Sequence, residues 1–171
     1  AVIGMGGLGH MAVQYARKMG FDVTVVARGN EKERAAFQLG AHHYIDTLKE
    51  NASQRLKNDG GVDYIVATAA DSKTVAALLS ALSPRGKTIL LGTGQTPLQV
   101  SPGMMIGAER TLTGSFVSTP AQTERALRFS QLFQTLPITE LLPFERANEA
   151  LNRLKQGMAR YRIVLTMNQD N

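Results

Sequence analysis

Along the first ninety residues, short apolar runs alternate with segments of helical length. The runs at 1–3, 23–27, 43–45, 62–67 and 87–91 are rich in Val, Ile and Leu. They show little polar alternation, as strands covered on both faces require. Between them, 9–19, 31–38, 48–57 and 72–82 carry apolar residues at helical spacing. In the first helix Ala12, Val13 and Ala16 fall on one face, expected to meet a sheet, and Gln14, Arg17 and Lys18 on the face expected to meet water. Cap pairs at Asn30/Glu33, Thr47/Glu50 and Thr119/Gln122 mark helix starts. Gly20, Gly40, Gly60, Gly61 and Pro84 mark stops. Strands separated by single helices pair in parallel through right-handed crossovers. The expected fold is therefore α/β, a doubly wound parallel sheet.

After Leu91 the rhythm changes. A Gly/Pro-containing loop leads to an extended piece at 98–100 and a Met-rich turn at 103–108. A sixth strand is expected at 111–116 and its helix at 121–133. Pro137 and Pro143 bracket a short extended segment, followed by a helix at 145–155 and a last strand at 161–167. This tail reads as an addition to the alternating domain.

With 171 residues, 43% of them hydrophobic, the chain can bury a full-sized core. No run approaches the roughly 18 apolar residues of a membrane span, and no signal segment is evident; a cytoplasmic protein without membrane contact is expected. The absence of cysteine removes disulfide frameworks and thiolate metal sites from this chain. The net charge of +5 is spread along the sequence, and only 6% of residues are aromatic. That disfavours nucleic acid as a partner and fits a small anionic ligand. No pair among His10, His42 and His43 has zinc-ligand spacing with a carboxylate or thiolate. His42 and His43 are expected to mark the turn into the third strand, and His10 either packs or contacts a phosphate.

Gly4-Met5-Gly6-Gly7-Leu8-Gly9 stands directly between the first strand and the first helix. In G-x-G-x-x-G the first glycine permits the tight turn, the second a close approach to a pyrophosphate, and the third the packing of helix on sheet. Free N–H groups at the helix N-terminus receive the phosphates. An NAD site would place an acid at the end of the second strand. Here that strand ends Ala27-Arg28-Gly29-Asn30, and Asp22 precedes it. Without a carboxylate to repel it, a 2′-phosphate can be held by Arg28 and by Lys32. NADP is therefore expected over NAD; the alternative is a solvated Arg28 and a pocket indifferent to the two.

The segments VIGMGGLGHMAVQYARKMG, LGAHHYID and GMARYRIVLTM together resemble the cofactor domain of zinc-dependent medium-chain alcohol dehydrogenases. The similarity is nearest to the branch of cinnamyl-alcohol and bacterial primary-alcohol enzymes, and it covers essentially the whole chain. It implies a six-stranded dinucleotide-binding domain over residues 1–134. Residues 135–171 would then be the segment that returns to a separate catalytic domain. That domain, with its zinc ligands, would lie upstream, so the chain is expected to be a fragment that binds cofactor without catalysing.

By the same resemblance Gly6, Gly7, Leu8 and Gly9 hold the pyrophosphate, and Thr68 and Ala69 line the adenosine ribose. Leu91, Gly92 and Thr93 hold the nicotinamide, Ser115, Phe116 and Val117 contact the carboxamide, and Arg162 reaches the pyrophosphate. The complete enzyme would move hydride between nicotinamide and an alcohol or aldehyde carbon, with zinc as Lewis acid. A homodimer is implied through the sixth strand at Leu112, Thr113 and Gly114. Competing readings are a non-catalytic dinucleotide sensor and a zinc-independent quinone-reductase-like enzyme. Short-chain dehydrogenases are disfavoured because none of Tyr15, Tyr44, Tyr64 and Tyr161 has Lys four positions on. Methyltransferases are disfavoured because the acid ending the second strand is absent.

Overall fold

The computed structural model describes residues 1–69 and 71–167; the last four residues of the tail expected over 135–171 lie outside them. Six strands form one parallel sheet: β1 (Val2–Ile3), β2 (Thr24–Ala27), β3 (His43–Asp46), β4 (Val62–Ala67), β5 (Leu82–Leu90) and β6 (Thr111–Gly114). Their spatial order, β3-β2-β1-β4-β5-β6, reverses direction at β1, as in doubly wound nucleotide-binding sheets. The helices are α1 (Gly9–Lys18), α2 (Glu33–Gln38), α3 (Ala52–Asn58), α4 (Ser72–Leu79), α5 (Pro102–Ile106) and α6 (Pro120–Phe133).

Two apolar clusters show how the strands are covered. Ile3, Val26, Ile45 and Ile65 belong to one, with Leu56 of α3 and Leu78 and Leu79 of α4. Val2, Val25 and Ala27 belong to the other, with Val13 of α1 and Ala36 of α2. Neighbours along a strand thus join opposite cores, the period-2 consequence of the pleat. This is why the runs lack polar alternation.

The tail forms its own unit of β7 (Thr139–Pro143), a 3-10 turn (Phe144–Arg146), α7 (Ala147–Lys155) and β8 (Arg162–Thr166). β7 and β8 pair in parallel as a separate two-stranded sheet. Tyr161, just before β8, inserts into the Val2/Val13/Ala27 core and stacks on His10 at 4.7 Å between ring centroids. Ile138 N–H donates to His10 Nε2 at 3.2 Å, and the Ile138 carbonyl accepts from the N–H groups of Tyr161 and Arg162, each at 3.1 Å. Gln14, expected to face water, instead donates to the Leu136 carbonyl at 3.0 Å. The tail covers that side of α1.

Several boundaries differ from expectation for local reasons. α3 starts at Ala52, capped by Asn51, whose side chain accepts from Gln54 N–H at 3.0 Å; Thr47 is not its cap. The Asp46 carboxylate accepts from Leu48 N–H at 2.9 Å and draws 47–49 into a turn. α2 has no side-chain cap, and Asn30 contributes only its carbonyl, to Glu33 N–H. The Thr119/Gln122 capping box forms as expected. β5 begins before Pro84 rather than after it. The register against β4 shifts between Val62 and Tyr64, and Arg85 adopts φ 61°, an irregularity that accommodates a strand proline. Residues 98–100 form no strand; Leu98 and Val100 pack as loop residues on the Ile65 core.

His10 is fully buried, and its two ring nitrogens face the Gly6 carbonyl (Nδ1, 3.0 Å) and Ile138 N–H. That pairing requires the neutral ring with hydrogen on Nδ1. Burial, followed by the positive charge of Arg162, holds its pKa below the ordinary 6.5 despite the opposing bonds to the glycine backbone. The unfolded chain therefore binds a proton that the fold refuses. The stabilisation is complete above the unfolded value and is lost as pH falls towards the native one. A His10→Ala variant is expected to lose about 2–4 kcal/mol through a cavity and two orphaned backbone groups. In chemical denaturation its stability should also change less than that of the parent between about pH 7.5 and about pH 5.5.

Candidate functional site

The glycine turn sits where β1 ends in the middle of the sheet. Gly4 has φ +88°, a left-handed conformation that L side chains avoid. A Cβ there would lie 2.9 Å from Ala69 Cβ, and a Cβ on Gly9 would run into the Gly4 carbonyl oxygen. Both positions are closed by the protein itself. Gly6 differs: its φ is outside the left-handed region, and no atom of the described residues lies within 4 Å of where a Cβ would stand. The fold leaves this face of the turn open. Beside it, the guanidinium of Arg162 covers Gly7, with Nη1 3.2 Å from the Cβ position. A cation thus overhangs backbone at the head of α1. Among the described residues Gly7 and Leu8 N–H have no acceptor in the protein. No acidic side chain occupies the first turn of α1, and Leu8, its N-cap, offers no side-chain bond. Unpaired N–H groups, the helix dipole and an arginine converge there, suiting a diphosphate.

The neighbouring strand ends complete the rim. Thr68 and Ala69, after β4, donate their N–H groups to the Ile3 carbonyl at 3.0 and 3.2 Å, and Thr68 Oγ1 donates to the same oxygen at 2.9 Å. Leu91 and Gly92, after β5, both donate to the Ala67 carbonyl. A Cβ on Gly92 would sit 2.7 Å from the Ala69 carbonyl, so this crossing too requires glycine. Thr93 is exposed. Ser115 N–H donates to Leu90 O at 3.0 Å, while Phe116 and Val117 stand 89% and 79% exposed. Gly4, Gly6, Gly7, Gly9, Thr68, Ala69, Gly92 and Arg162 are thereby brought to one end of the sheet, whereas Phe116 and Val117 are held there only through Ser115.

At the end of β2, Ala27 is buried and Arg28 and Asn30 are exposed. Gly29, at φ 76°, is fixed from β3: its N–H donates to Asp46 Oδ1 at 2.7 Å and its carbonyl accepts from Tyr44 Oη at 2.7 Å. Burial, with the nearby carboxylates led by Asp46, pushes the Tyr44 phenol up to about 12. Lys32 is half-buried, and burial and the charge of Arg160 hold its ammonium below its usual range. Asp46, Tyr44, Tyr161 and Arg160 were not among the expected site residues. Asp46 alone left a signal, as an acid ending a strand paired in register with Ala27.

Among the described residues, hollows of two sizes lie beside the sheet. The larger, about 940 Å³, lies at the amino ends of the strands among Ala1, Val23, Val62 and Tyr64. The smaller, about 230 Å³, is lined by Ala69, Ser72, Leu90 and Gly92 beside the glycine turn. The carboxyl ends, where the crevice of a doubly wound sheet opens, carry the converging polar groups, so size does not decide the site. For metal, no group of three or more His, Asp or Glu among the described residues is arranged to hold an ion. His10 is committed to the core, while His42 and His43 lean on Asp22 at 3.2 and 3.3 Å. His42 also accepts from Val23 N–H, as a residue at the turn into β3 would.

The chain belongs to the zinc-binding dehydrogenase family, whose model matches residues 7–131. Among curated relatives, alcohol dehydrogenase patD of Penicillium expansum is 34% identical over 167 residues, covering 98% of this chain and 49% of the relative. Cinnamyl alcohol dehydrogenase 7 of rice (Oryza sativa subsp. japonica) is 34% identical over 165 residues, covering 96% and 43%. Solved structures agree. Cinnamyl alcohol dehydrogenase of Sorghum bicolor superposes with TM-score 0.86 at 29% identity, covering 96% of this chain and 46% of the other. The Helicobacter pylori enzyme complexed with NADP(H) gives 0.81 at 28%, covering 96% and 46%. Acetophenone reductase of Geotrichum candidum complexed with NAD gives 0.83 at 26%, covering 99% and 48%. The chain spans about half the length of the curated relatives it matches.

Gly6 and Gly9 separate binding from folding. Gly6→Ala sets its Cβ in space free of the described residues and should leave the thermal midpoint nearly unchanged while weakening dinucleotide binding by calorimetry about tenfold or more. Gly9→Ala should destabilise the fold by about 1–3 kcal/mol or more, because the Gly4 carbonyl must move.

Proposed function

We propose that this chain is the cofactor-binding part of an NAD(P)-dependent alcohol dehydrogenase, with NADP(H) preferred. The observation that carries the reading is the open face at Gly6 next to the guanidinium over Gly7. This is a space beside backbone N–H groups and a cation, with no atom of the described residues within 4 Å of the Gly6 Cβ position. Gly6, Gly7, Leu8 and Gly9 would hold the diphosphate with Arg162. Thr68 and Ala69 would line the adenosine ribose, and Ala27, Arg28, Gly29, Asn30 and Lys32 its outer edge. Leu91, Gly92 and Thr93 would orient the nicotinamide, with Ser115, Phe116 and Val117 at its carboxamide.

When bound, the nicotinamide supplies the hydride acceptor or donor for an alcohol or aldehyde carbon. The residues here position that ring and neutralise its phosphates. The relatives' names and the match along nearly the whole chain support this assignment. Zinc has no ligand set among the described residues. We assign it to a catalytic domain of the parent enzyme, to which residues 135–171 would return from the dinucleotide-binding unit at 1–134. The reading carries with it a cytoplasmic location; among the described residues no helix is long and apolar enough to cross a membrane.

For assembly we propose a homodimer through β6. It is the outer strand beyond β5, and an exposed strand edge pairs readily with a second copy. Phe116 and Val117, exposed just beyond it, would add apolar area.

Calorimetric titration with NADP(H) and NAD(H) tests the reading directly. Binding of both is expected, NADP(H) more tightly, with affinity falling by about tenfold or more in Arg162→Gln. Absence of binding by either would remove the function and leave only the fold. For the dimer, sedimentation should show mass rising to two chains with concentration; a monomer at high concentration would refute the β6 pairing.

A further inference from the structure

His10 is fully buried and faces no ligand, yet its ring joins the tail to the glycine turn. Nε2 accepts from Ile138 N–H at 3.2 Å, and Nδ1 lies 3.0 Å from the Gly6 carbonyl oxygen. A neutral imidazole has one donor and one acceptor. With Nε2 occupied as the acceptor, Nδ1 carries the hydrogen and donates to Gly6. Tyr161 stacks on the ring at 4.7 Å between centroids, with 16° between the planes. The tail thus fixes both the tautomer and the plane of this side chain.

The Gly6 carbonyl also accepts from the main-chain N–H of His10 at 3.0 Å, in the first turn of α1. That bond alone restrains the peptide joining Gly6 to Gly7 only weakly. Glycine stands on both sides of it, and a unit without Cβ atoms rotates at little steric cost. The Nδ1–H bond gives the same oxygen a second donor and pins it towards the buried ring. The peptide is trans, so its N–H points opposite to its carbonyl. Gly7 N–H is therefore aimed away from His10, and no acceptor among the described residues takes it. It stands beside the Arg162 guanidinium, whose Cζ lies 3.1 Å from the Gly7 Cβ position. Turning the peptide over would present a carbonyl oxygen there, which repels a phosphate.

We propose that His10 is the positioning residue of the diphosphate site: through Nδ1–H it holds the Gly6–Gly7 peptide in the orientation that presents Gly7 N–H to the cofactor. The proposal deepens, and rests on, the dinucleotide reading of the glycine turn. It gives a buried side chain that contacts no phosphate a share in binding one. Ile138 and Tyr161 act behind it, by fixing the tautomer and the ring plane.

Two substitutions separate the two ring bonds. The Asn amide nitrogen stands where His carries Nδ1, so His10→Asn keeps the donor to Gly6 and gives up Ile138. The Gln amide reaches as far as Nε2, so His10→Gln keeps Ile138 and gives up the bond to Gly6. Each leaves one backbone group without its partner, so similar falls in thermal midpoint are expected. Both are made in the Arg162→Gln background, where any shift of the tail arginine drops out, and titrated by calorimetry with NADH and ADP-ribose while folded by circular dichroism. His10→Gln should weaken both probes by about tenfold or more, and His10→Asn by less than about threefold. Equal losses in the two variants, a larger loss in His10→Asn, or no loss in His10→Gln would make His10 merely structural and overturn the proposal. Should either variant not fold, nitrogen-15 spectra of the parent chain decide. They should place the ring proton on Nδ1 and show the Gly7 amide shifting as ADP-ribose binds; a proton on Nε2, or an unmoved Gly7 amide, overturns the proposal. If the parent chain binds neither probe, the glycine-turn reading fails and this proposal with it; if it binds both while the variants behave alike, only the role of His10 fails.

Discussion

Ile138 is gripped from three directions. Its N–H meets the His10 imidazole, and its carbonyl meets the backbone N–H groups of Tyr161 and Arg162. His10 in turn holds the Gly6 carbonyl, so one buried ring links the phosphate-sized turn to the tail across 128 positions of sequence. The position of Arg162 over Gly7 depends on this arrangement. Without it the turn would keep its N–H groups but lose its cation. The link is polar and its ring is fully buried, so the ring needs both partners: a buried group left unpaired costs more than a surface bond contributes.

This dependence ties the tail to the glycine turn. A two-stranded parallel sheet has little stability of its own. β7 and β8 are held through Tyr161 in the core, Gln14 on Leu136, and the pairing of Glu140 with Arg153 and with Arg160 N–H. The same docking carries Arg162 over Gly7. Stability and ligand chemistry therefore share one set of contacts. Separating them calls for positions such as Gly6, where the protein leaves space and makes no contact.

Much of this could be read from residues in order. The apolar runs identified five of the six strands of the main sheet, those that supply buried residues to the two cores; the sixth, at 111–116, came from the segment beyond the change of rhythm. The glycine spacing marked the turn because Gly4 needs a positive φ and Gly9 a close approach, requirements no other residue meets. Thr119 and Gln122 capped α6 because that box is complete within four residues. Thr47 failed as a cap because Asp46, at the end of β3, takes the Leu48 N–H with its side chain and the Lys49 and Glu50 N–H groups with its carbonyl. Pro84 failed as a stop because a shift in register lets β5 pass through it.

The sequence by itself determined which segments became strands and helices, where the backbone must be glycine, and that no acid would stand at the end of β2. Those are local properties of φ, volume and side-chain chemistry. Only the tertiary structure decided that His10 would be a core residue and not a phosphate ligand, that Gln14 would face the tail and not water, and that Tyr161 would enter the core and stack on His10. Each depends on residues more than a hundred positions apart meeting through one docked aromatic ring, and no spacing within a segment encodes such a meeting.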